Sequence, residues 1–284
     1  LYDREKSSDS CGVGFITNKQ SNQTHDVLVK ANEALCTIPH RGGMSAEGIG
    51  DGAGVNIDLS QRFFRELTNN DDLLLGHFGV ANFFLPKEDE FEDDAIALVE
   101  EKLRAFDLPI VLWRDVPVDN SVLNDASVRA QLSLKQVIFM RSEKLTDASW
   151  DEFDAQVALC LQSIENDCYD IPELDGFYPC SMSARTQVLK GRLNSNEVVP
   201  YFQDLMNPSH EIHSVFFHTR FSTNTEPATM MAQPFRRMAH NGELNTDKKN
   251  RLSEKAIAKQ QGREIHFPKG QSDSCRLDQT IARR

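Results

Sequence analysis

An α+β layered fold is what this sequence predicts, and three observations carry it. Runs rich in β-branched and aromatic residues recur along all 284 residues. Segments of helical period lie between them. The two kinds come in groups instead of strict βαβ alternation, which argues against a doubly wound parallel sheet.

The candidate strands are Gly12–Thr17, Gly54–Leu59, Gly79–Leu85, Gln136–Arg141, Tyr178–Ala184, Gln187–Lys190, Val215–Thr219 and Arg237–Ala239. Three apolar stripes predict helices. Val27, Leu28, Ala31 and Leu35 form the first, which Pro39 ends. Phe91, Ala95, Leu98, Val99, Leu103 and Phe106 form the second, and Phe153, Val157, Leu161 and Ile164 the third. The acidic run Glu88–Asp94 reads as the solvated start of the second helix, where negative charge suits the N-terminal dipole. The glycines of Gly48–Gly54 do not have GxGxxG spacing and lead into a strand-like VNIDL, so they predict a tight turn and no nucleotide cradle. No repeat or linker divides the chain.

Composition narrows the function. Lys and Arg number 31 against 43 Asp and Glu, a formal charge of −12. That balance excludes a phosphate-backbone footprint, so no nucleic-acid partner is expected. No apolar run approaches the roughly 18 residues of a spanning helix, and LYDREKSSDS is too polar for a secretory signal, so no membrane partner is expected either. Cysteines stand at 11, 36, 160, 168, 180 and 275, with no CxxC pair and no Cys/His cluster of metal-binding spacing. They predict reduced thiols in a cytoplasmic protein without a bound metal. The chain begins at Leu1 and ends inside an apparent helix at Arg284, so both ends are expected to be cuts in a longer polypeptide.

Four compact polar segments adjoin candidate strands or helices and could carry chemistry: Asp9–Phe15 (DSCGVGF), His218–Thr225 (HTRFSTNT), Ala239–Thr246 (AHNGELNT) and Gln271–Cys275 (QSDSC). Singly, each has an ordinary structural reading as a surface charge, a turn or a helix cap. Further short motifs are HRG at His40–Gly42, GDGAG at Gly50–Gly54, WRDVP at Trp113–Pro117, CSMSAR at Cys180–Arg185 and AQPFR at Ala232–Arg236.

In order and spacing, these motifs together resemble the N-terminal class II glutamine amidotransferase domain of the glutamate synthase large subunit, an N-terminal-nucleophile hydrolase. The resemblance spans essentially the whole chain. It implies a four-layer αββα sandwich with two mostly antiparallel sheets. It further implies a propeptide-like leader at 1–10 and an amidotransferase domain from 11 to 284, truncated at its C-terminal end.

By the same resemblance Cys11 is the nucleophile, with Asn241 and the Gly242 backbone N–H as oxyanion donors. Arg220, Thr223 and Asn224 would hold the α-carboxylate of L-glutamine, Asp273 its α-ammonium, and Arg41 would support the nucleophile. The residue chemistry suits these roles. An N-terminal cysteine carries an α-amino base beside its thiol, and an Arg fork grips a carboxylate in two places.

No cofactor is expected in this chain. FMN, an iron–sulfur cluster and the ammonia-consuming chemistry belong, by the resemblance, to the remaining domains of a glutamate synthase, with its small reductase subunit as a further partner. The chain departs from the family's pattern at Ala228–Met231 and at Lys248–Lys249. Two other readings stay open: an N-terminal-cysteine amidase or acylase of other specificity, and a non-catalytic or unprocessed amidotransferase-like module.

Overall fold

In the computed structural model the described residues are 12–86, 91–219, 227–242, 244, 248–262, 265–266 and 271–282. Eight strands run β1 (Val13–Thr17), β2 (Ala53–Asp58), β3 (Phe78–Phe84), β4 (Ile110–Asp115), β5 (Leu134–Met140), β6 (Tyr178–Ser183), β7 (Thr186–Gly191) and β8 (Ser214–Thr219). Helices are α1 (Asp26–Thr37), α2 (Gln61–Thr68), α3 (Glu92–Ala105), α4 (Asp125–Ala130), α5 (Trp150–Cys168), α6 (Val198–Tyr201), α7 (Gln203–Met206), α8 (Lys248–Gln260) and α9 (Asp273–Ala282).

The strands form two antiparallel four-stranded sheets, ordered β1-β8-β2-β7 and β4-β5-β3-β6. Strand alternation sets the layers. In β3, Ala81 and Phe83 join Val99 and Leu103 of α3 and Val157 and Ile164 of α5 in one buried cluster. Asn82, on the opposite face, reaches across to the first sheet and donates to Val188 O at 3.0 Å. In the first sheet Val55 pairs with Phe217 and Ile57 with Val215. All four lie in one buried cluster with Val27, Leu28, Ala31 and Leu35 of α1. The result is the expected α+β arrangement of helices outside two facing sheets. No helix among the described residues is long and apolar enough to cross a membrane.

Seven predicted strands and all three striped helices are present. α5 is sealed at its start by a capping box, Ser149 with Glu152. Of the acidic run, Glu92, Asp93 and Asp94 do form the first turn of α3, and residues 87–90 lie outside the described set. The Gly48–Gly54 stretch is an irregular turn that enters β2, and the Asp51 carboxylate fills the space a side chain at Gly43 would need. The eighth prediction fails: 237–239 is not a strand. A tight backbone turn and a side chain hold it instead, with Phe235 N donating to Met238 O at 2.9 Å and Arg237 N to Asp278 at 2.8 Å, while Asn56 Nδ2 donates to Phe235 O and Arg236 O just before it.

Charges buried between layers fix the last helix. Arg236 donates to Glu165 of α5 at 2.7 Å and to Asp278 of α9 at 3.1 Å, and all three are buried. Replacing Arg236 alone would strand two buried carboxylates, which is why this segment and α9 act as one piece. Lys190, also buried, donates to Met230 O and Ala232 O and lies over the Tyr178 and Phe235 rings. Burial pulls its amine below the usual lysine range.

Two buried histidines give a stability prediction. Burial pushes His210 and His218 down to about 4, and each has one ring nitrogen within reach of a carbonyl, Asp204 O and His240 O respectively. A histidine in the unfolded chain titrates near 6.5, so between pH 6.5 and 4 the unfolded state binds protons the native state refuses. Stability is therefore full above that window and lost as the pH falls through it. At pH 5 each histidine accounts for about 2 kcal/mol of the loss. Urea titrations at pH 7 and pH 5 are expected to show this, and His210→Phe to remove one share of it. An unchanged slope in that variant would rule the assignment out.

Candidate active site

The chemistry predicted from sequence gathers where β1 begins beside the end of β8. Val13 pairs with His218, and Thr219 N donates to Gly12 O at 2.6 Å. A Cβ at Gly12 would lie 2.1 Å from Thr219 O, so this close approach requires glycine directly after Cys11. The turn Pro39–Arg41 abuts the same place: a Cβ at Gly42 would meet Thr219 Oγ1 at 3.0 Å. Arg41 thus stands in a turn packed on Thr219, and its side chain is partly exposed.

Onto this junction folds the His240–Gly242 turn. Gly12 N donates to Asn241 Oδ1 at 3.1 Å, joining residues 229 positions apart. A backbone N–H can only donate, so this contact fixes which way round the amide sits. The Asn241 oxygen faces Gly12, and its NH2 is the end left for a ligand. A Cβ built on Gly242 would meet no atom of the described residues within 4 Å, so among them that face of the turn has room for one.

His240 organises the turn. Its N–H donates to Gln233 Oε1 at 2.9 Å, and its carbonyl accepts from His218 Nε2 at 3.0 Å. Its Nδ1 lies 2.9 Å from Gly242 O and its Nε2 lies 2.7 Å from Ser274 Oγ. Ser274 is in the first turn of α9, directly after Asp273. The Asp273 carboxylate is partly exposed and stands 4.0 Å from Arg251 of α8.

Of the residues singled out from sequence, Asn241, Gly242, Asp273 and Arg41 are thus brought to one region by Gly12, Thr219 and Ser274. Cys11, Arg220, Thr223 and Asn224 lie outside the described residues. Sequence reasoning gave no role to Gln233, His218, His240 or Ser274. The two histidines and Ser274 stood within the quoted segments, but spacing along the chain carries no signal that they touch.

A cleft of about 640 Å³ opens beside Phe15, Asn56, Phe216, Phe235 and Met238. Its lining includes neither Asn241, Gly242 nor Asp273. Among the described residues no group of three or more His, Cys, Asp and Glu is placed to hold a metal ion.

The sequence matches the family described as "Glutamine amidotransferases class-II" over residues 11–281. The chain belongs to the class-II glutamine amidotransferases. That family assignment agrees with the recognised motifs and makes the domain an amidotransferase.

Its relatives include the "Glutamate synthase [NADH]" of Saccharomyces cerevisiae, 34% identical over 88% of this chain and 12% of that protein. The "Glutamate synthase [NADPH] large chain" of Azospirillum brasilense is 32% identical over 88% of the chain and 16% of its own length. The "Ferredoxin-dependent glutamate synthase" of Antithamnion sp. is 37% identical over 84% and 16%. The class-II amidotransferase chain therefore matches only 12 to 16% of the length of these proteins.

Proposed function

We propose that this chain hydrolyses L-glutamine to glutamate and ammonia through a γ-glutamyl thioester on Cys11. The observation that carries the reading is the Gly12–Asn241 hydrogen bond, which ties the residue after the nucleophile to the oxyanion donor.

Residues 1–10 act as a leader, and the amidotransferase domain begins at Cys11. Once the leader is removed, the α-amino group of Cys11 takes the thiol proton, and the sulfur attacks the side-chain carbonyl carbon of glutamine. The carbonyl electrons move onto oxygen, where Asn241 Nδ2 and the Gly242 N–H stabilise the charge. Collapse of this adduct breaks the C–N bond, with the α-ammonium returning its proton to the leaving ammonia. Water then attacks the thioester, the amine accepts a proton from it, and glutamate leaves as the thiol is restored.

Arg220, with Thr223 and Asn224, grips the α-carboxylate, and Asp273 receives the α-ammonium. Arg41 supports the nucleophile from its turn. A positive and a negative anchor together suit a free amino acid and disfavour an apolar acyl group.

The ammonia feeds a glutamate synthase reaction in a longer polypeptide. Its FMN, iron–sulfur cluster and reductase partner belong outside this chain.

The thiol environments support the choice of nucleophile. Burial pushes Cys160 up to about 12 and Cys180 up to about 11, and raises Cys168 and Cys275 as well. Such thiols stay protonated and unreactive at neutral pH. Labelling with an electrophilic glutamine analogue, followed by peptide mapping, is expected to modify Cys11. Modification of Cys36, Cys160, Cys168, Cys180 or Cys275 in its place would overturn the assignment.

A further inference from the structure

We infer that His240 is a positioning residue that joins the Asn241–Gly242 turn to the first turn of α9, so that oxyanion donors and ammonium anchor are held as one unit. The inference rests on the function proposed above.

The ring is fully committed. Gly242 O can only accept, so Nδ1 carries the proton and donates to it at 2.9 Å. In the neutral ring Nε2 is then an acceptor, and Ser274 Oγ donates to it at 2.7 Å. Neither nitrogen is left to take a proton from substrate or water, so the ring is not a second base. What it does is mechanical. One end fixes the carbonyl side of Gly242, next to the peptide whose N–H faces the oxyanion. The other end fixes a buried serine one residue beyond Asp273.

Both ends are anchored. The backbone of His240 is held by Gln233 and by His218, and α9 is held by the Arg236–Asp278 pair. The joint therefore adds, at one imidazole, a second link between α9 and the segment that Asp278 already ties to it. When the α-ammonium of glutamine settles on Asp273, the first turn of α9 is steadied, and His240 passes that order to the oxyanion turn. The α-amino group of the substrate then contributes to kcat as well as to KM.

This separates the joint from an ordinary structural hydrogen bond. The test compares glutamine with 4-carbamoylbutanoate, which is glutamine without its α-amino group, on protein whose chain starts at Cys11, of otherwise native sequence and as Ser274→Ala. With the joint broken, kcat for glutamine is expected to fall about tenfold while kcat for carbamoylbutanoate stays within about twofold. His240→Asn keeps a donor where Nδ1 stood and loses the reach to Ser274, so it should behave alike. It also serves if the alanine variant does not fold.

Equal losses on both substrates would mean general loosening and would overturn the inference, as would no loss on either. Protein of otherwise native sequence that starts at Cys11 and hydrolyses neither amide would instead refute the proposed function, an outcome readily told apart from these.

Discussion

Material whose chain starts at Cys11 is expected to hydrolyse glutamine on the order of a thousandfold faster than material that keeps residues 1–10. The reason is the nitrogen of Cys11. Bonded to Ser10 it is an amide, with its lone pair delocalised into the carbonyl, and it cannot accept the thiol proton. Freed, it is an amine of pKa about 8, close to that of the thiol itself. General-base catalysis of this kind contributes roughly 100- to 10,000-fold, and here no other side chain is assigned the work. The described geometry leaves little room for a substitute base, since His218 is buried and neutral and both nitrogens of His240 are engaged. Mass spectrometry to establish the first residue, with a glutaminase assay on the same sample, decides the matter. Equal turnover by material retaining Leu1 would refute it. The processed form should also lose rate as the pH falls below about 8, as its amine becomes protonated.

Asn241→Asp should lower kcat for glutamine by about 100- to 1,000-fold with a much smaller change in KM. The substitution is nearly isosteric. A carboxylate can still accept the Gly12 N–H, so the link between β1 and the His240–Gly242 turn survives. What disappears is the NH2 end, the donor that the proposed mechanism assigns to the developing oxyanion, and a negative charge takes its place. Steady-state kinetics on the processed variant, with a melting curve to show an intact fold, measure the effect. A loss of less than about fivefold would mean that Asn241 braces Gly12 and does nothing for the transition state.

Much of this architecture was legible beforehand, and the exceptions have physical causes. Helices α1, α3 and α5 announced themselves because each buries one continuous stripe. Strand β4 did not: it is an edge strand whose residues are all partly or fully exposed, so no alternation marks it. Helix α2 buries only Phe63 and Phe64 over eight residues, too little for a period to register. Residues 237–239 looked like a strand from composition, yet Asp278 takes the Arg237 N–H and a local turn takes the Met238 carbonyl, so no ladder forms.

At the site, the motif order led to Asn241, Gly242 and Asp273 but not to what holds them. The bonds from His240 to Gln233, Gly242 and Ser274 depend on three-dimensional approach, which no spacing along a chain encodes. The WRDVP motif shows the same limit. Arg114 within it pairs with the buried Asp204 of α7, a structural tie that the motif does not reveal.

The partnership of β1 with β8 also sets a timetable for biosynthesis. Gly12 leaves the ribosome before its partner Asn241, which follows 229 residues later. At about 5–20 residues per second, that interval is on the order of ten to fifty seconds. For most of it β1 has neither its neighbouring strand β8 nor the turn that meets Gly12. The proposed maturation of the amino terminus is thereby tied to near-completion of the domain, and on that proposal a half-made chain releases no ammonia.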